Sequence, residues 1–321
     1  MKTLNIAYSF DDGYAQHAGL SILSLLESNK HIENIIFHIV TNSLNKENRK
    51  RIENIIHHYD RSIHYIDLNE LTVELKIPTK FNRSAYGRLF LPNVIEDDRI
   101  IYVDSDTIIN GSLESLMNVD LEDFLVAGVQ DTVNPYYLTN IGLPNGHRYI
   151  CDGGIIIINL KLWRKWGIVQ KCIDFIMKYE GNPPHNDQGT INYVCAGHIK
   201  ILSPHYNVMP PMFLFTVKRL QILFKMPVYY SQVEIEEALK KPVVIHYTDE
   251  FFNRPWYSNC SHPLKNLYLN YLSNSPWKGV QLKKKELSLN CKIQNTIYTY
   301  SPFFVYKWMI RFIEWKHCMK K

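Results

Sequence analysis

Ile100-Ile101-Tyr102-Val103-Asp104-Ser105-Asp106-Thr107 is the stretch around which the rest of the chain is organised. Four strand-favouring residues run into two carboxylates separated by one small polar residue, and Ile108-Ile109-Asn110-Gly111 resumes an apolar run and closes on a turn signal. On an extended backbone, side chains i and i+2 share a face, so Asp104 and Asp106 are expected to point together from the mouth of a buried strand. Two close carboxylates repel and raise each other's pKa, and a divalent cation between them relieves the repulsion. Oxygen ligands of this kind suit Mg2+ or Mn2+. The same tripeptide also occurs as an inert, solvated turn at a strand end, so its meaning rests on its surroundings.

Upstream, Leu4 to Ser9 reads as a first strand that ends in Phe10-Asp11-Asp12-Gly13-Tyr14. A helix follows, with Ala18, Ile22, Leu25 and Leu26 spaced to bury one face. A buried strand over 35–41, an amphipathic helix over 45–59 and a third strand over 62–67 complete a strand–helix alternation. That alternation predicts an α/β fold with a parallel sheet covered on both faces. Ligands of such sheets bind beyond the carboxyl ends of the strands, where Asp11-Asp12 and Asp104-Ser105-Asp106 both fall. Two acidic clusters on one rim favour a metal-and-phosphate site.

A short helix over 84–92 is placed to aim Arg88 at that rim, where a guanidinium suits a phosphate. Downstream, strands are expected over 125–130 and 155–160, the second apolar enough to be central. Asp152-Gly153-Gly154 precedes it, and two glycines allow close backbone approach. Asp187 and Gln188 precede a helical segment over 190–196, which alone is a capping arrangement. Residues 204–232, rich in Pro, Met, Phe and Tyr, predict an irregular flap, and 243–247 a short strand carrying His246.

Composition excludes several classes. The chain has 321 residues, 46% hydrophobic and 21% charged, which is ordinary for a globular protein and allows one large domain plus an appendage. Its six cysteines form no C-x-x-C pair and read as reduced thiols of a cytosolic protein. Asp11-Asp12 comes too early for a signal-peptide apolar region, and no run of uncharged apolar residues is long enough to span a bilayer. Residues 283–321 hold nine Lys or Arg against Glu286 and Glu314, so of the net +5 the preceding 282 residues carry −2. Within this basic tail, 301–318 reads as a helix with Lys307 and Arg311 among Phe, Tyr and Trp, which suits the plane of an anionic membrane. A helix docked on the domain's own surface is the alternative. The chain divides accordingly into 1–282 and a helical C-terminal tail, 283–321.

Taken in order, these pieces resemble glycosyltransferase family 8, particularly bacterial enzymes that extend lipopolysaccharide or lipooligosaccharide cores. The resemblance is carried by Ala7-Tyr8-Ser9-Phe10-Asp11-Asp12-Gly13-Tyr14, Ala85-Tyr86-Gly87-Arg88-Leu89, Ile101 to Asp106, Asp152-Gly153-Gly154 through Arg164, Asn186-Asp187-Gln188, His246-Tyr247-Thr248 with Arg254-Pro255-Trp256, and Ser275-Pro276-Trp277. It implies a GT-A fold with a mixed, mostly parallel sheet flanked by helices, and a catalytic domain over 1–282. It implies a retaining hexosyltransferase that moves galactose or glucose from UDP-galactose or UDP-glucose. Asp104, Asp106 and His246 match the metal ligands of the family, with Mn2+ the expected ion and Mg2+ the alternative. Asp11, Tyr14, Arg88, Ser105 and Arg254 match the UDP-sugar-contacting part, together with Asp104. Asp187 and Gln188 match residues facing the transferred sugar. Asp152 stands where the family usually has Asn, and a carboxylate there implies altered sugar choice or an alternative nucleophile.

Two further departures stand out. The family's Asp-Gln-Asp becomes Asp187-Gln188-Gly189, and its His-x-x-Gly-x-x-Lys-Pro-Trp becomes an eleven-residue run from His246 to Trp256. The acceptor implied is a cell-surface glycan such as lipopolysaccharide, reached at the cytoplasmic face of the membrane, with no nucleic acid involved. Capsule or protein glycan is an alternative acceptor. A UDP-sugar hydrolase and a non-catalytic nucleotide-sugar binding module are alternatives of other classes.

Overall fold

The computed structural model describes residues 3–73, 75, 83–144, 146–151, 153–286, 293, 296–298 and 300–318. Its frame is a seven-stranded sheet with the first half as the alternation predicts. Strand β1 is Leu4–Ser9, β2 Ile35–Thr41, β3 Ser62–Asp67 and β4 Ile100–Val103, all mutually parallel in the order β3-β2-β1-β4. Helices α1 (Ala15–Ser28) and α2 (Lys46–His58) form the crossovers between β1, β2 and β3. A four-residue helix, α3 (Leu68–Leu71), follows β3.

The second half departs from a purely parallel sheet. Strand β5 (Thr107–Ile109) leaves the large sheet, β6 is Val126–Gly128, and β7 (Ile155–Ile158) runs antiparallel to both β4 and β6. Strand β8 (Ile199–Ile201) closes the sheet parallel to β6. Between these strands lie α4 (Pro135–Ile141), α5 (Leu160–Lys165), α6 (Ile168–Lys178) and α7 (Asn186–Val194). The strand expected over 155–160 therefore stops two residues early, because Asn159 caps α5 by accepting from Leu162 N at 3.0 Å. Direction could not be read from four consecutive isoleucines.

The period-2 alternation of each central strand feeds two separate cores. Leu4, Ile6 and Tyr8 of β1, Ile101 and Val103 of β4, and Ile155 and Ile157 of β7 pack with α1 and α2 on one face. Ala7, Ile100, Tyr102, Ile156 and Ile158 pack on the other face with α5, α6 and a 3-10 run over Arg83–Asn93. Burying each Leu, Ile or Val among these contributes about 1.5–3 kcal/mol.

The segment 204–232 is a packed layer rather than a flap. It forms α8 (Pro210–Leu214) and α9 (Val217–Phe224), and Met209, Met212, Phe215, Leu220 and Leu223 are buried in the larger core. Its proline- and methionine-rich composition masks two short helices, each started at a Pro or a Thr cap. After α10 (Gln232–Lys240), strand β9 (Val244–His246) pairs antiparallel with β5 in a two-stranded sheet of its own. Helix α11 (Lys265–Ser273) packs against α1, and α12 (Phe303–Cys318) ends the described chain. Among the described residues, no helix is long and apolar enough to cross a membrane.

Candidate active site

Asp104 and Asp106 sit in a turn between β4 and β5 rather than on an extended strand. Thr107 Oγ1 donates to Asp104 O at 2.8 Å and tightens that turn. The two carboxylates meet because the chain reverses, and the short β5–β9 ladder then brings the third group. Thr107 lies opposite His246 in that ladder, and Tyr247 N donates to Asp106 O at 2.9 Å. Ligand atoms of Asp104, Asp106 and His246 lie within 4.8 Å of one another.

The antiparallel β7 completes the rim. Its entry, rather than its exit, lies beside the carboxyl end of β4, and Asp104 N donates to Gly154 O at 2.9 Å. A Cβ on Gly153 would come within 2.8 Å of Asp104 Oδ2 and 2.9 Å of the His246 ring. The glycine expected to allow close approach is thus required by the acid and the histidine themselves. Gly154 adopts φ +78°, and a side chain there would collide with Asn207. Asp152, expected beside the sugar, lies outside the described residues.

Two arginines face the acids. Arg88, nine-tenths buried in the 3-10 run, donates from Nη2 to Asp104 Oδ1 at 2.9 Å and places Nε 3.4 Å from Asp187 Oδ2. Its guanidinium lies 4.1 Å from the centroid of the Tyr102 ring. Arg254 places Nη2 3.0 Å from Asp106 Oδ2 and donates from Nη1 to the Tyr14 hydroxyl at 2.5 Å. His246 Nε2 lies 3.2 Å from the other Asp106 oxygen.

These contacts push the two aspartates apart in acidity. Burial raises the Asp104 carboxyl, Arg88 only partly offsets it, and Asp106 adds to the rise. Burial would also raise Asp106, but His246 and Arg254 overcome it and hold that carboxyl far below the usual range. Burial opposes charge on His246, yet Asp106 more than compensates and raises its pKa. The donor set of two carboxylates and one imidazole fits a hard or borderline divalent cation such as Mn2+ or Mg2+.

A cavity of about 290 Å3 opens over this cluster and is lined by Asp11, Tyr14, Arg88, Asp104, Ser105, Asp106 and Arg254. Every residue expected at the nucleotide-sugar end is therefore gathered at one opening. Asp12 is not. Its carboxylate accepts from Asn45 N at 2.9 Å, Asn45 Nδ2 at 2.7 Å and Asn48 Nδ2 at 3.0 Å, fastening the start of α2.

Helix α7 begins earlier than expected, so Asp187 and Gln188 occupy its first turn instead of preceding it. His185 and Asn186 both take left-handed backbone conformations, with φ 61° and 49°, and fold the preceding prolines back over the helix. A Cβ at Gly189 would lie 1.9 Å from Pro184 O. The third carboxylate of the family pattern thus has no room in this loop.

Gln188 Nε2 donates to Asp131 Oδ2 at 2.6 Å. Asp131 escaped the sequence reading, although a carboxylate directly after the strand expected over 125–130 falls at the same rim. Asn207, which braces Gly153 by donating from Nδ2 to its carbonyl at 2.9 Å, had no signal in the sequence. In the long loop after His246, Asp249 turns outward to Lys285. Glu250, next to Asp249, is solvent-exposed.

The profile of glycosyl transferase family 8 matches residues 5–260. A putative glycosyltransferase of Haemophilus influenzae is 30% identical over 268 residues, covering 81% of this chain and 75% of that protein. The lipopolysaccharide 1,2-glucosyltransferase of Escherichia coli K12 is 26% identical, covering 86% of this chain and 80% of its own. The crystal structure of galactosyltransferase LgtC, in complex with donor and acceptor sugar analogues, superposes with a TM-score of 0.70 at 20% identity, over 85% of this chain and 96% of LgtC. With its sheet, its flanking helices and this match, the chain has the GT-A fold, is a glycosyltransferase and belongs to glycosyl transferase family 8.

Proposed function

We propose that the protein is a metal-dependent, retaining hexosyltransferase that takes galactose or glucose from a UDP-hexose and gives it to a lipopolysaccharide or lipooligosaccharide acceptor. The observation that carries this reading is the convergence of Asp104, Asp106 and His246 beside Arg88, which reaches both Asp104 and Asp187. Mn2+ held by those three groups would neutralise charge on the diphosphate and orient it. The relatives include one named for glucosyl transfer, and the superposing LgtC is a galactosyltransferase, so both hexoses stay in the proposal.

The chain's own residues then divide the work. Arg88 and Arg254 supply permanent positive charge for the departing phosphates, and Tyr14 and Asp11, which line the same opening, are assigned to the nucleoside. Asp187 and Gln188 favour positive charge developing on the sugar. Asp131 accepts from the Gln188 amide nitrogen and so turns the Gln188 carbonyl oxygen toward whatever lies beyond it. The acceptor hydroxyl loses its proton to the leaving diphosphate on the same face, which retention without a strong protein nucleophile requires. Asp152 adjoins Gly153 and is assigned to sugar choice.

Incubation with Mn2+ and a panel of UDP-sugars tests the reading. UDP released only when acceptor is present is expected. Release without acceptor would make the protein a hydrolase, and tight binding without release would make it a nucleotide-sugar binding module.

The tail over 283–321 belongs to the same proposal as a contact with an anionic membrane surface. Tyr306 is buried against Phe215, and Arg311 Nη2 donates to Ile222 O at 2.6 Å, so α12 docks on α8 and α9 by one side. On the other side Phe304, Trp308, Phe312 and Trp315 are exposed beside Lys307. Removing the whole tail would uncover the core around Phe215. The sharper variant replaces Trp308, Phe312 and Trp315 with Ser. It is expected to lose binding to phosphatidylglycerol vesicles while donor turnover stays near wild type. Unchanged vesicle binding would remove the membrane contact from the proposal.

A further inference from the structure

Arg254 pairs with one of the three candidate metal ligands. It lies on Asp106 Oδ2 at 3.0 Å, while His246 takes Asp106 Oδ1, so both oxygens of that carboxylate are engaged within the protein. The arginine is not a passing contact. Tyr14 accepts from its Nη1, and the Trp256 ring lies under the guanidinium at 5.2 Å. Trp256 is in turn stacked on His17 at 3.8 Å between ring centroids, and His17 Nδ1 is 2.7 Å from the Tyr268 hydroxyl. A guanidinium keeps its charge at every accessible pH, so it repels a divalent cation approaching the same oxygen.

Part of the cluster's negative charge is already met without such a cation. Asp104 and Asp187 share Arg88, and Asp106 has Arg254 and His246. A dication entering this set meets the charge of the arginine on Asp106, and an arginine displaced from there needs another anion. The cavity beside it is where a diphosphate would sit.

We propose that Arg254 is a place-holding cation. It occupies Asp106 in the nucleotide-free protein and moves to the donor diphosphate when metal and nucleotide enter together. The inference rests on the metal-dependent reading above and adds a direction to it. Metal and nucleotide each remove the obstacle to the other, so their binding is cooperative, and Arg254 carries part of the coupling. Asp106 keeps a compensating charge between turnovers and holds metal weakly until nucleotide arrives.

The test is Mn2+ binding by the full chain without nucleotide, followed through the electron paramagnetic resonance of the free aqua ion. Arg254→Ala is expected to bind Mn2+ alone roughly tenfold more tightly than wild type. Added UDP should tighten Mn2+ binding strongly in wild type and much less in the variant. Tyr14→Phe, which keeps Arg254 but frees it from the hydroxyl, should shift Mn2+ affinity in the same direction by a smaller factor, and it serves if the alanine variant does not fold. Measurable binding to wild type with equal or weaker binding to both variants would overturn the inference and leave the metal site standing. Absence of Mn2+ binding in all three proteins, with and without UDP, would overturn the metal-dependent reading and the inference together.

Discussion

Two acidic pairs lie at the same rim of the sheet, and they do opposite things. Asp11 and Asp12 are adjacent in sequence, and one lines the cavity while the other is spent on the backbone and side chain of Asn45 and on Asn48. Asp104 and Asp106 are separated by one residue and held in a turn, and both converge with His246. Residue type and rim position are shared, so neither decides the role. What differs is the local chain path, and with it which partners are within reach. A carboxylate met by amide donors becomes a cap, whereas one met by a histidine and an arginine becomes part of a charged site.

The largest expected effect comes from the inner pair. Asp106→Asn should lose Mn2+ binding and lower turnover by roughly a thousandfold or more, measured by UDP release, and it should also lower stability, because Arg254 and His246 lose the buried carboxylate that faces them. Persistence of activity would erase the distinction between the pairs. Gln188→Ala comes next, with kcat expected to fall about a hundredfold and the fold intact by circular dichroism. Wild-type turnover would argue against any role near the reacting carbon. Asp12→Ala should act in the opposite sense. It removes a carboxylate that receives three hydrogen bonds at the start of α2, so unfolding free energy should drop by about 1–2 kcal/mol while turnover stays near wild type.

The smallest effect is the pH dependence of that last difference. Some burial works to raise the Asp12 carboxyl, but the bonds from Asn45 and Asn48 prevail and lower it. A group whose folded pKa is depressed contributes stability above its unfolded pKa and loses it as pH falls through the folded value. Denaturant melts of wild type and Asp12→Ala should therefore differ at neutral pH and converge below about pH 4. A gap that widens in acid would contradict the capping role.

The comparison also marks how much was legible in the sequence. β1 to β3 and the two helices between them were readable because each strand and helix carries its own periodicity. The convergence of Asp104 with Asp106 was anticipated, although from an extended strand, and the chain reaches it through a turn. The reversed direction of β7 was hidden, since Ile155 to Ile158 pack equally well either way and only pairing with β4 and β6 decides. The helices over 210–224 were hidden by a composition that suggests irregular chain, and their apolar residues turn out to be core. Asp131 was available to a reading that treated every strand end alike. Asn207 and the grip of Arg254 on Asp106 were not available, because they depend on segments brought together only by the finished fold.

The ladder between β5 and β9 has a consequence in time. Asp106 and His246 are 140 residues apart, and they meet through three paired positions, Thr107 with His246, Ile108 with Ile245 and Ile109 with Val244. At a synthesis rate of about 5–20 residues per second, the two aspartates are made roughly 7–28 s before the histidine. During that interval the nascent chain has both carboxylates but lacks the third candidate ligand. The metal-holding capacity proposed for this cluster would thus be one of the last properties the chain acquires, and its onset would report that the two distant strands have found their register.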